Sequence, residues 1–259
     1  MKRTALPTPD PDKADLKELL YYLSLYKTAE TYPDLIAQAE KNNWSHLKIL
    51  ETFAGQEAAL KRERSIHARL AQARFSVLKT IDSFDFSFPT SIPRGKILAA
   101  LSLQFIERQE GFIFMGPPGT GKTHLALAIG YAACTKGVRT LFTSAVDMIN
   151  LLSASLADNS LHKVLKTYTS PRLLICDELG YLPFDRRGSD LFFQVISSRY
   201  ERGSLILSTN RPFKDWGKIF HDNTVAAAII DRLTHHSELI KIEGGSYRVK
   251  DRKSKIAGS

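Results

Sequence analysis

The chain has 259 residues, of which 43% are hydrophobic and 24% are charged, and its formal net charge is +9. This composition is typical of a globular protein, and the length allows one large core or a core with a small companion domain. The longest apolar run, residues 225–230, is too short for a membrane span, and no apolar stretch follows the basic N-terminus. We therefore expect neither a membrane helix nor a secretory signal.

The positive charge is unevenly distributed along the chain. The net charge is −2 over residues 1–60, +3 over 61–85, +4 over 86–239 and +4 over 240–259. A basic protein favours an acidic partner such as nucleic acid or an anionic membrane surface, and the net charge does not choose between the two. The two cysteines stand far apart without metal-ligand spacing, which argues against a disulfide framework or a structural zinc site and suits a reducing cytoplasm.

The N-terminal part of the chain shows helical periodicity. A first helix is predicted by apolar residues at the i, i+3, i+4, i+7 spacing, namely Leu16, Leu19, Leu20 and Leu23. A second helix is predicted to start at Tyr32-Pro33, with proline at its first position. A third starts near Trp44 and continues past Gly55 into a charged segment. We therefore predict a small all-helical domain over residues 1–75, followed by a second domain over 76–259.

The charged end of the third helix separates basic from apolar side chains. At 100° per residue, one face carries Lys61, Arg62, Arg64 and Arg69, with Arg74 shortly after. The opposite face carries Ala59, Ile66, Leu70 and Ala73. This pattern fits a solvated helix face or a helix laid along the phosphates of DNA. A membrane-surface helix fits less well, because the apolar face lacks bulky aromatic residues.

The second domain has the pattern of an α/β fold. Short apolar runs occupy residues 112–115, 140–143, 173–176 and 205–208, and helical patterns separate them. Buried strands that alternate with helices form a parallel sheet with both faces covered.

A phosphate-binding motif directly follows the first predicted strand. It is the G-x-x-x-x-G-K-[ST] sequence Gly116, Pro117, Pro118, Gly119, Thr120, Gly121, Lys122 and Thr123, and a helical run begins at His124. Only about 0.01 such matches are expected by chance. The glycines let backbone N–H groups approach phosphate oxygens, Lys122 can reach the β- and γ-phosphates, and Thr123 can bind Mg²⁺.

Two carboxylates end the third predicted strand. Asp177 is suited to hold Mg²⁺, and Glu178 is suited to polarise a water for attack on the γ-phosphate. Alone, such a pair could be a helix cap and a first-turn acid. A kinase would need a phosphate acceptor at this place, and a GTPase would show an Asn-Lys-x-Asp motif that binds guanine; neither is found. The two carboxylates together with the phosphate-binding motif therefore favour ATP hydrolysis.

Three further residues attract attention. Asn210, after the fourth strand, could orient the attacking water, although alone it would fit an ordinary turn. The pair His235-His236 could suggest a metal ligand set. However, adjacent histidines on a helix point to different faces and the sequence offers no third ligand, so we expect a surface pair.

Taken together, these elements resemble the AAA+ ATPases of the helicase-loader and initiator clade, and more narrowly the IstB family of insertion-sequence transposition helpers. The resemblance covers nearly the whole chain. Its most specific stretches are residues 176–183 and 191–201, and two further stretches are residues 231–233 and 245–248. The family usually carries Thr-Ser-Asn at its sensor position, where this chain reads Ser208-Thr209-Asn210.

The resemblance implies roles for three residues. Asn210 would be the sensor-1 residue, Arg232 the arginine finger that completes the site of a neighbouring subunit, and Arg248 the sensor-2 arginine. His124, directly after the phosphate-binding motif, is also counted among the nucleotide-binding residues, although alone it would fit a structural role. From the residues alone, Arg232 would pair with Asp231 on a helix surface and Arg248 would lie on an exposed basic strand.

The family resemblance further implies a P-loop AAA+ parallel sheet flanked by helices, without a separate lid domain. It implies ATP and Mg²⁺ as cofactors, ATP-dependent homo-oligomers on duplex DNA, remodelling of that DNA and activation of a partner transposase. Two alternatives stay open: a replicative helicase loader, and a DNA-binding adaptor that uses ATP only as an assembly switch.

Overall fold

The structure, a computed structural model, describes residues 10, 13–88 and 92–247. The chain divides into two compact units between His67 and Ala68. This division lies earlier than the boundary expected after residue 75. The reason is that Ala73 is buried and its carbonyl accepts a hydrogen bond from the Phe142 N–H group at 2.8 Å. The end of the third helix therefore belongs to the second unit.

The first unit is helical. It contains α1 (Leu16–Tyr22), α2 (Tyr26–Lys41) and most of α3 (His46–Gln72). A capping box starts α1, because the Asp15 carboxylate accepts from the Glu18 N–H group while the Glu18 carboxylate accepts from the Asp15 N–H group. Within the described ranges, no helix combines the length and hydropathy needed to cross a membrane.

The predicted start of the second helix is wrong. α2 begins at Tyr26, and Pro33 lies inside the helix rather than at its first position. The Glu57 carboxylate on α3 accepts a 2.7 Å hydrogen bond from the Thr28 N–H group. An acidic partner at the first turn satisfies an otherwise unpaired donor and complements the helix dipole. This contact stabilises an earlier start than the proline suggests.

The predicted continuation of the third helix is confirmed. α3 runs unbroken through Gly55, where a methyl group would meet no atom within 4 Å. Its apolar residues are not buried, and the side chains of Leu47 and Leu50 are 65% and 64% exposed. Glycine at a solvent-facing helix position costs only about 1 kcal/mol relative to alanine.

The second unit is a parallel sheet with helices on both faces. Its strands are β1 (Gly111–Met115), β2 (Thr140–Ser144), β3 (Leu173–Leu179), β4 (Ser204–Thr209) and β5 (Ser237–Lys241). Its helices are α4 (Arg94–Leu101), α5 (Gln104–Glu107), α6 (Lys122–Thr135), α7 (Ala145–Ala154), α8 (Leu161–Thr169), α9 (Arg186–Arg199), α10 (Trp216–Phe220) and α11 (Asn223–His235). Short 3₁₀ turns lie at Ile81–Ser83 and Phe213–Asp215.

The strand order is β2-β3-β4-β1-β5, and every pairing is parallel. The four predicted strands are confirmed, and the α/β fold class with them. Strand β5 has no counterpart among the predicted strands. It lies at the edge of the sheet, where Ile240 is buried but Glu238 and Lys241 are exposed, so its sequence has no continuous apolar run. Among the described residues, no helical domain follows β5.

Strand residues alternate between two apolar clusters, one on each face of the sheet. Ile113, Leu174 and Leu207 pack in the cluster that α7, α9 and α11 cover. Phe114 and Ile175 pack in the opposite cluster, together with residues of α4 and α6. This arrangement leaves the carboxyl ends of β1, β3 and β4 beside one another, which is where ligands bind in open α/β sheets.

At the other end of the strands, a buried arginine contacts the backbone at the amino ends of β3 and β4. The Arg199 side chain is only 3% exposed and donates hydrogen bonds to four backbone carbonyls, those of Tyr168, Pro171, Arg172 and Ser204. Burial lowers the pKa of Arg199 to about 10, so the guanidinium stays charged at neutral pH. Arg199 lies in one of the stretches that carry the family resemblance, and its contacts indicate a structural role.

We expect Arg199→Ala to lower the free energy of unfolding by about 3 kcal/mol or more, because it removes several charge-assisted hydrogen bonds inside the core. Urea unfolding followed by circular dichroism measures this change. The matched control is Arg202→Ala, which removes an exposed arginine three residues later and should change stability by less than about 0.5 kcal/mol. Equal stabilities for the two variants would contradict the structural role.

Candidate nucleotide-binding site

The loop from Gly116 to Thr123 connects β1 to α6 and adopts a conformation that requires glycine. Gly119 and Gly121 have φ angles of +79° and +94°, in the left-handed region. A methyl group on Gly121 would lie 2.8 Å from the Phe84 ring, and one on Gly119 would overlap the Ser246 side chain. Both positions therefore exclude a side chain on conformational and on steric grounds.

Lys122 is the first residue of α6, and its side chain folds back over the loop. Its Nζ atom donates 2.7 Å hydrogen bonds to the carbonyls of Gly116 and Pro117. The side chain is only 9% exposed. A buried ammonium group beside a helix N-terminus is suited to bind the phosphates of a nucleotide.

A buried carboxylate links the loop to the sheet. Asp177, at 4% exposure, accepts hydrogen bonds from the Thr123 hydroxyl, at 2.8 Å to Oδ2, and from the Ser208 hydroxyl. Carboxylate and hydroxyl oxygens are the ligands that Mg²⁺ prefers. The donor set of Thr123 and Asp177 therefore fits the metal that the sequence predicts there. Ser208 is not among the predicted site residues, since one hydroxyl in an apolar strand has no distinctive pattern.

Glu178 follows Asp177 directly but has a different environment. Its φ angle is +60°, and the register between β3 and β4 shifts between Cys176 and Leu179. The Glu178 N–H group donates to the Ser208 hydroxyl at 3.0 Å. The side chain is exposed and lines the same cavity as the phosphate loop. The irregular backbone thus exposes Glu178 while its neighbour stays buried.

These residues surround a cavity of about 550 Å³, a volume within the range of ligand pockets. Asn210, exposed after β4, lines this cavity together with Glu178 and residues 118–124. Phe84, Phe88 and Tyr247 line it as well, and the Tyr247 N–H group donates to the Gly119 carbonyl at 2.9 Å. No motif in the sequence marks Phe84 or Phe88 as functional, whereas Tyr247 lies in the stretch 245–248 that carries part of the family resemblance.

His124 also lines the cavity and connects it to the preceding segment. Its Nε2 atom lies 3.0 Å from the Thr80 carbonyl, and its ring meets the Phe84 ring edge-on at 5.0 Å between centroids. Burial lowers the pKa of His124; the Thr80 carbonyl opposes this shift and the charge of Lys79 adds to it. The neutral ring can donate to that carbonyl.

Of the two remaining arginines, the structure describes Arg232, and it lies away from the cavity. Arg232 donates to the Ala228 carbonyl at 3.1 Å, and its guanidinium lies 4.7 Å from the centre of the Phe193 ring. It is absent from the described residues that line the cavity. The alternative interpretation of Arg232, an ion pair with Asp231, is not among the ion pairs of the described residues. Arg248 lies outside the described residues.

The basic residues predicted to contact DNA have different environments. Lys61, Arg62 and Arg64 are exposed on α3, with Arg64 5.0 Å from the Tyr26 ring centre. Arg69 is half-buried and donates to the Cys134 carbonyl at 2.9 Å. Arg74 is exposed beyond the end of α3, with a φ angle of +57°.

The fold and the site define a P-loop nucleotide-binding protein whose parallel sheet has the AAA+ type of fold. Similar solved structures include the DnaC helicase loader, with a TM-score of 0.53 and 24% identity over 63% of this chain and 96% of that chain. AMPPCP-bound DnaA from Aquifex aeolicus has a TM-score of 0.54 and 22% identity, over 70% of this chain and 55% of that chain. At these identities the likeness shows the fold.

The chain belongs to the family described as IstB-like ATP binding protein, whose model matches residues 18–255. It is 42% identical to the insertion sequence IS232 putative ATP-binding protein of Bacillus thuringiensis subsp. berliner, over 91% of this chain and 94% of that protein. It is 39% identical to the IS21 putative ATP-binding protein of Pseudomonas aeruginosa, over 92% of this chain and 90% of that protein. The family resemblance inferred from the sequence is confirmed.

We expect Lys122→Ala to abolish nucleoside triphosphate binding, because it removes the buried ammonium group that would attract the β- and γ-phosphates. Titration with a fluorescent ATP analogue measures this loss. Lys136→Ala, at the other end of α6, removes an exposed charge and should bind as the unaltered chain does. Unchanged affinity in Lys122→Ala would contradict the assignment of the phosphate site.

Proposed function

We propose that this chain hydrolyses ATP to regulate DNA transposition. In this proposal it assembles on duplex target DNA as an ATP-dependent homo-oligomer, remodels that DNA, and recruits and activates a partner transposase. The observation that carries the proposal is one cavity lined by the phosphate loop, by Thr123 and by the exposed side chain of Glu178, with the buried Asp177 bonded to Thr123. Membership of a family of insertion-sequence ATP-binding proteins supports the link to transposition.

In the proposed reaction, the phosphates of ATP bind at the loop and the base lies among the aromatic residues Phe84, Phe88 and Tyr247. Lys122 exchanges its two loop carbonyls for phosphate oxygens. Thr123 and Asp177 would hold Mg²⁺, which neutralises negative charge on the β- and γ-phosphates when bound.

In this proposal, Glu178 and Asn210 act on the water molecule that attacks the γ-phosphate. Asn210 orients a water molecule, and Glu178 accepts its proton as the new P–O bond forms. The bond between the γ-phosphorus and the bridging oxygen breaks, and ADP leaves with that oxygen. Both side chains are exposed in the cavity, so a water can reach them.

Arg232 is not among the described residues that line the cavity of its own chain. This position is compatible with a role in the cavity of a neighbouring copy. The Arg232 guanidinium lies half-buried against Phe193 and donates to a backbone carbonyl. An arginine supplied by a neighbour stabilises transition-state charge and accelerates hydrolysis by about 10³–10⁵ in related systems. Arg248 is proposed as the sensor-2 arginine on the family resemblance alone.

We expect Glu178→Gln to retain ATP binding and assembly on DNA but to lose hydrolysis, and Arg232→Ala to lose hydrolysis as well. Mixing the two variants in equal amounts should restore turnover, measured as phosphate release. About a quarter of head-to-tail interfaces then join an intact Glu178 to an intact Arg232.

Each variant measured alone is the control for the mixture. Normal turnover in Glu178→Gln would contradict the role of Glu178. An inactive mixture whose subunits still assemble together would contradict the supply of Arg232 by a neighbour.

We propose that the exposed cations on α3 contact DNA phosphates. Replacing Lys61, Arg62 and Arg64 by glutamine should weaken duplex binding and lower the slope of log affinity against log salt by up to about 0.9 per lost contact. Arg69 is left in place because it bonds the Cys134 carbonyl. The charge-matched control replaces the exposed Lys17, Lys41 and Lys48. An unchanged slope in the first variant would exclude this surface.

The two alternatives give different results in the same assays. A helicase loader should form ordered assemblies on single-stranded DNA, whereas the proposed regulator should form them on duplex DNA with ATP, as electron microscopy can test. A pure assembly switch should bind ATP without turnover. Because the resemblance to the DnaC loader shows the fold alone, the proposal follows the family.

A further inference from the structure

Three potential metal ligands converge at a place remote from the nucleotide cavity. One ligand atom from each of Glu201, His235 and His236 lies within 4.8 Å of the other two. We call these three residues the His–Glu cluster. Glu201 and His235 are exposed, and His236 is half-buried, so solvent can reach the cluster.

Both histidines lie at the surface, as expected, but the sequence-based expectation for their secondary structure is wrong. It places both on a helix and pointing apart, but α11 ends at His235 and β5 begins at Ser237. His236 lies between them with φ −124° and ψ 18°, and its carbonyl accepts a 2.8 Å hydrogen bond from the Gly111 N–H group. The two imidazole centroids are consequently 4.2 Å apart. Glu201, in the turn between α9 and β4, supplies the third group.

The spacing of the Glu201 and His236 ligand atoms suits a small cation. His236 Nε2 lies 3.2 Å from Glu201 Oε1. Two ligands at about 2.0–2.1 Å from a tetrahedral metal are separated by about 3.3 Å. A metal could therefore take the place of the hydrogen that the two atoms now share, with little movement of either side chain.

The surroundings of the His–Glu cluster resemble those of metal sites in proteins. The Tyr200 hydroxyl lies 2.7 Å from His235 Nδ1, and metal-bound histidines commonly bond an outer partner through their second nitrogen. Glu201, His236 and Arg232 also line a small cleft of about 30 Å³. That volume holds one water molecule, which could complete the coordination.

We propose that the His–Glu cluster binds one Zn²⁺ ion through Glu201, His235 and His236, with water as the fourth ligand. Two imidazoles and a carboxylate suit zinc, whereas Mg²⁺ and Ca²⁺ prefer oxygen ligands alone. The site ties the end of α11 to the turn after α9. This proposal is independent of the proposed ATPase function, since zinc binding needs neither nucleotide nor DNA.

The test is a Zn²⁺ titration of the full chain without an affinity tag, by calorimetry, in excess Mg²⁺. We expect one ion per chain and a rise in the midpoint of thermal unfolding that a chelator reverses. Substituting Co²⁺ should give the visible absorption bands of a tetrahedral site.

His235→Ala, His236→Ala and Glu201→Gln should each weaken binding by at least about 100-fold, and Tyr200→Phe by about 10-fold. The matched control is His67→Ala, because His67 lies 3.9 Å from a carboxylate oxygen of Glu63 without a second histidine beside it. Its affinity should not change. Circular dichroism verifies that each variant folds. Absence of saturable binding in the unaltered chain, or equal affinity in the folded cluster variants, would overturn the proposal.

Discussion

The hydrogen bonds to the buried Asp177 carboxylate connect the parts of the candidate site. Burying a carboxylate without partners costs several kcal/mol, and two hydroxyls offset that cost here. One belongs to Thr123 on α6 and the other to Ser208 on β4, so the three elements that meet around Asp177 are fixed relative to one another. The phosphate loop ends where α6 begins, and its position depends on this arrangement.

The same Ser208 hydroxyl explains how two adjacent acids come to differ. It accepts from the Glu178 N–H group while it donates to Asp177. A left-handed conformation costs a non-glycine residue roughly 1–2 kcal/mol, and the hydrogen bond at Glu178 helps to hold it there. In a regular strand the next residue would point to the opposite face of the sheet. The irregularity instead leaves Glu178 in the cavity, suited to proton transfer, beside a carboxylate suited to metal binding.

The parts of the fold that can be predicted from the sequence are those whose signals are local. Apolar runs identify β1 to β4, and the spacing of glycines and Lys122 identifies the phosphate loop. The start of α2 depends on Glu57, 29 residues beyond the Thr28 N–H group that it accepts from, and no periodicity reveals such a contact. Strand β5 is half exposed, and Ser208 resembles any small strand residue. The prediction for His236 fails because α11 ends one residue earlier, at His235, and His236 leaves the helical conformation.

The basic residues that give the chain its net charge of +9 lie in environments that suit them to different roles. Arg199 is enclosed and bonded to backbone carbonyls, so it contributes to stability and is inaccessible to DNA. Arg232 is held against an aromatic ring, where its side chain is only partly exposed to solvent. Lys122 donates to two loop carbonyls, which offset part of the cost of burying its ammonium group and leave that group unneutralised. This explains how a lysine can be buried in this loop, and in the proposed reaction phosphate oxygens take the place of the two carbonyls.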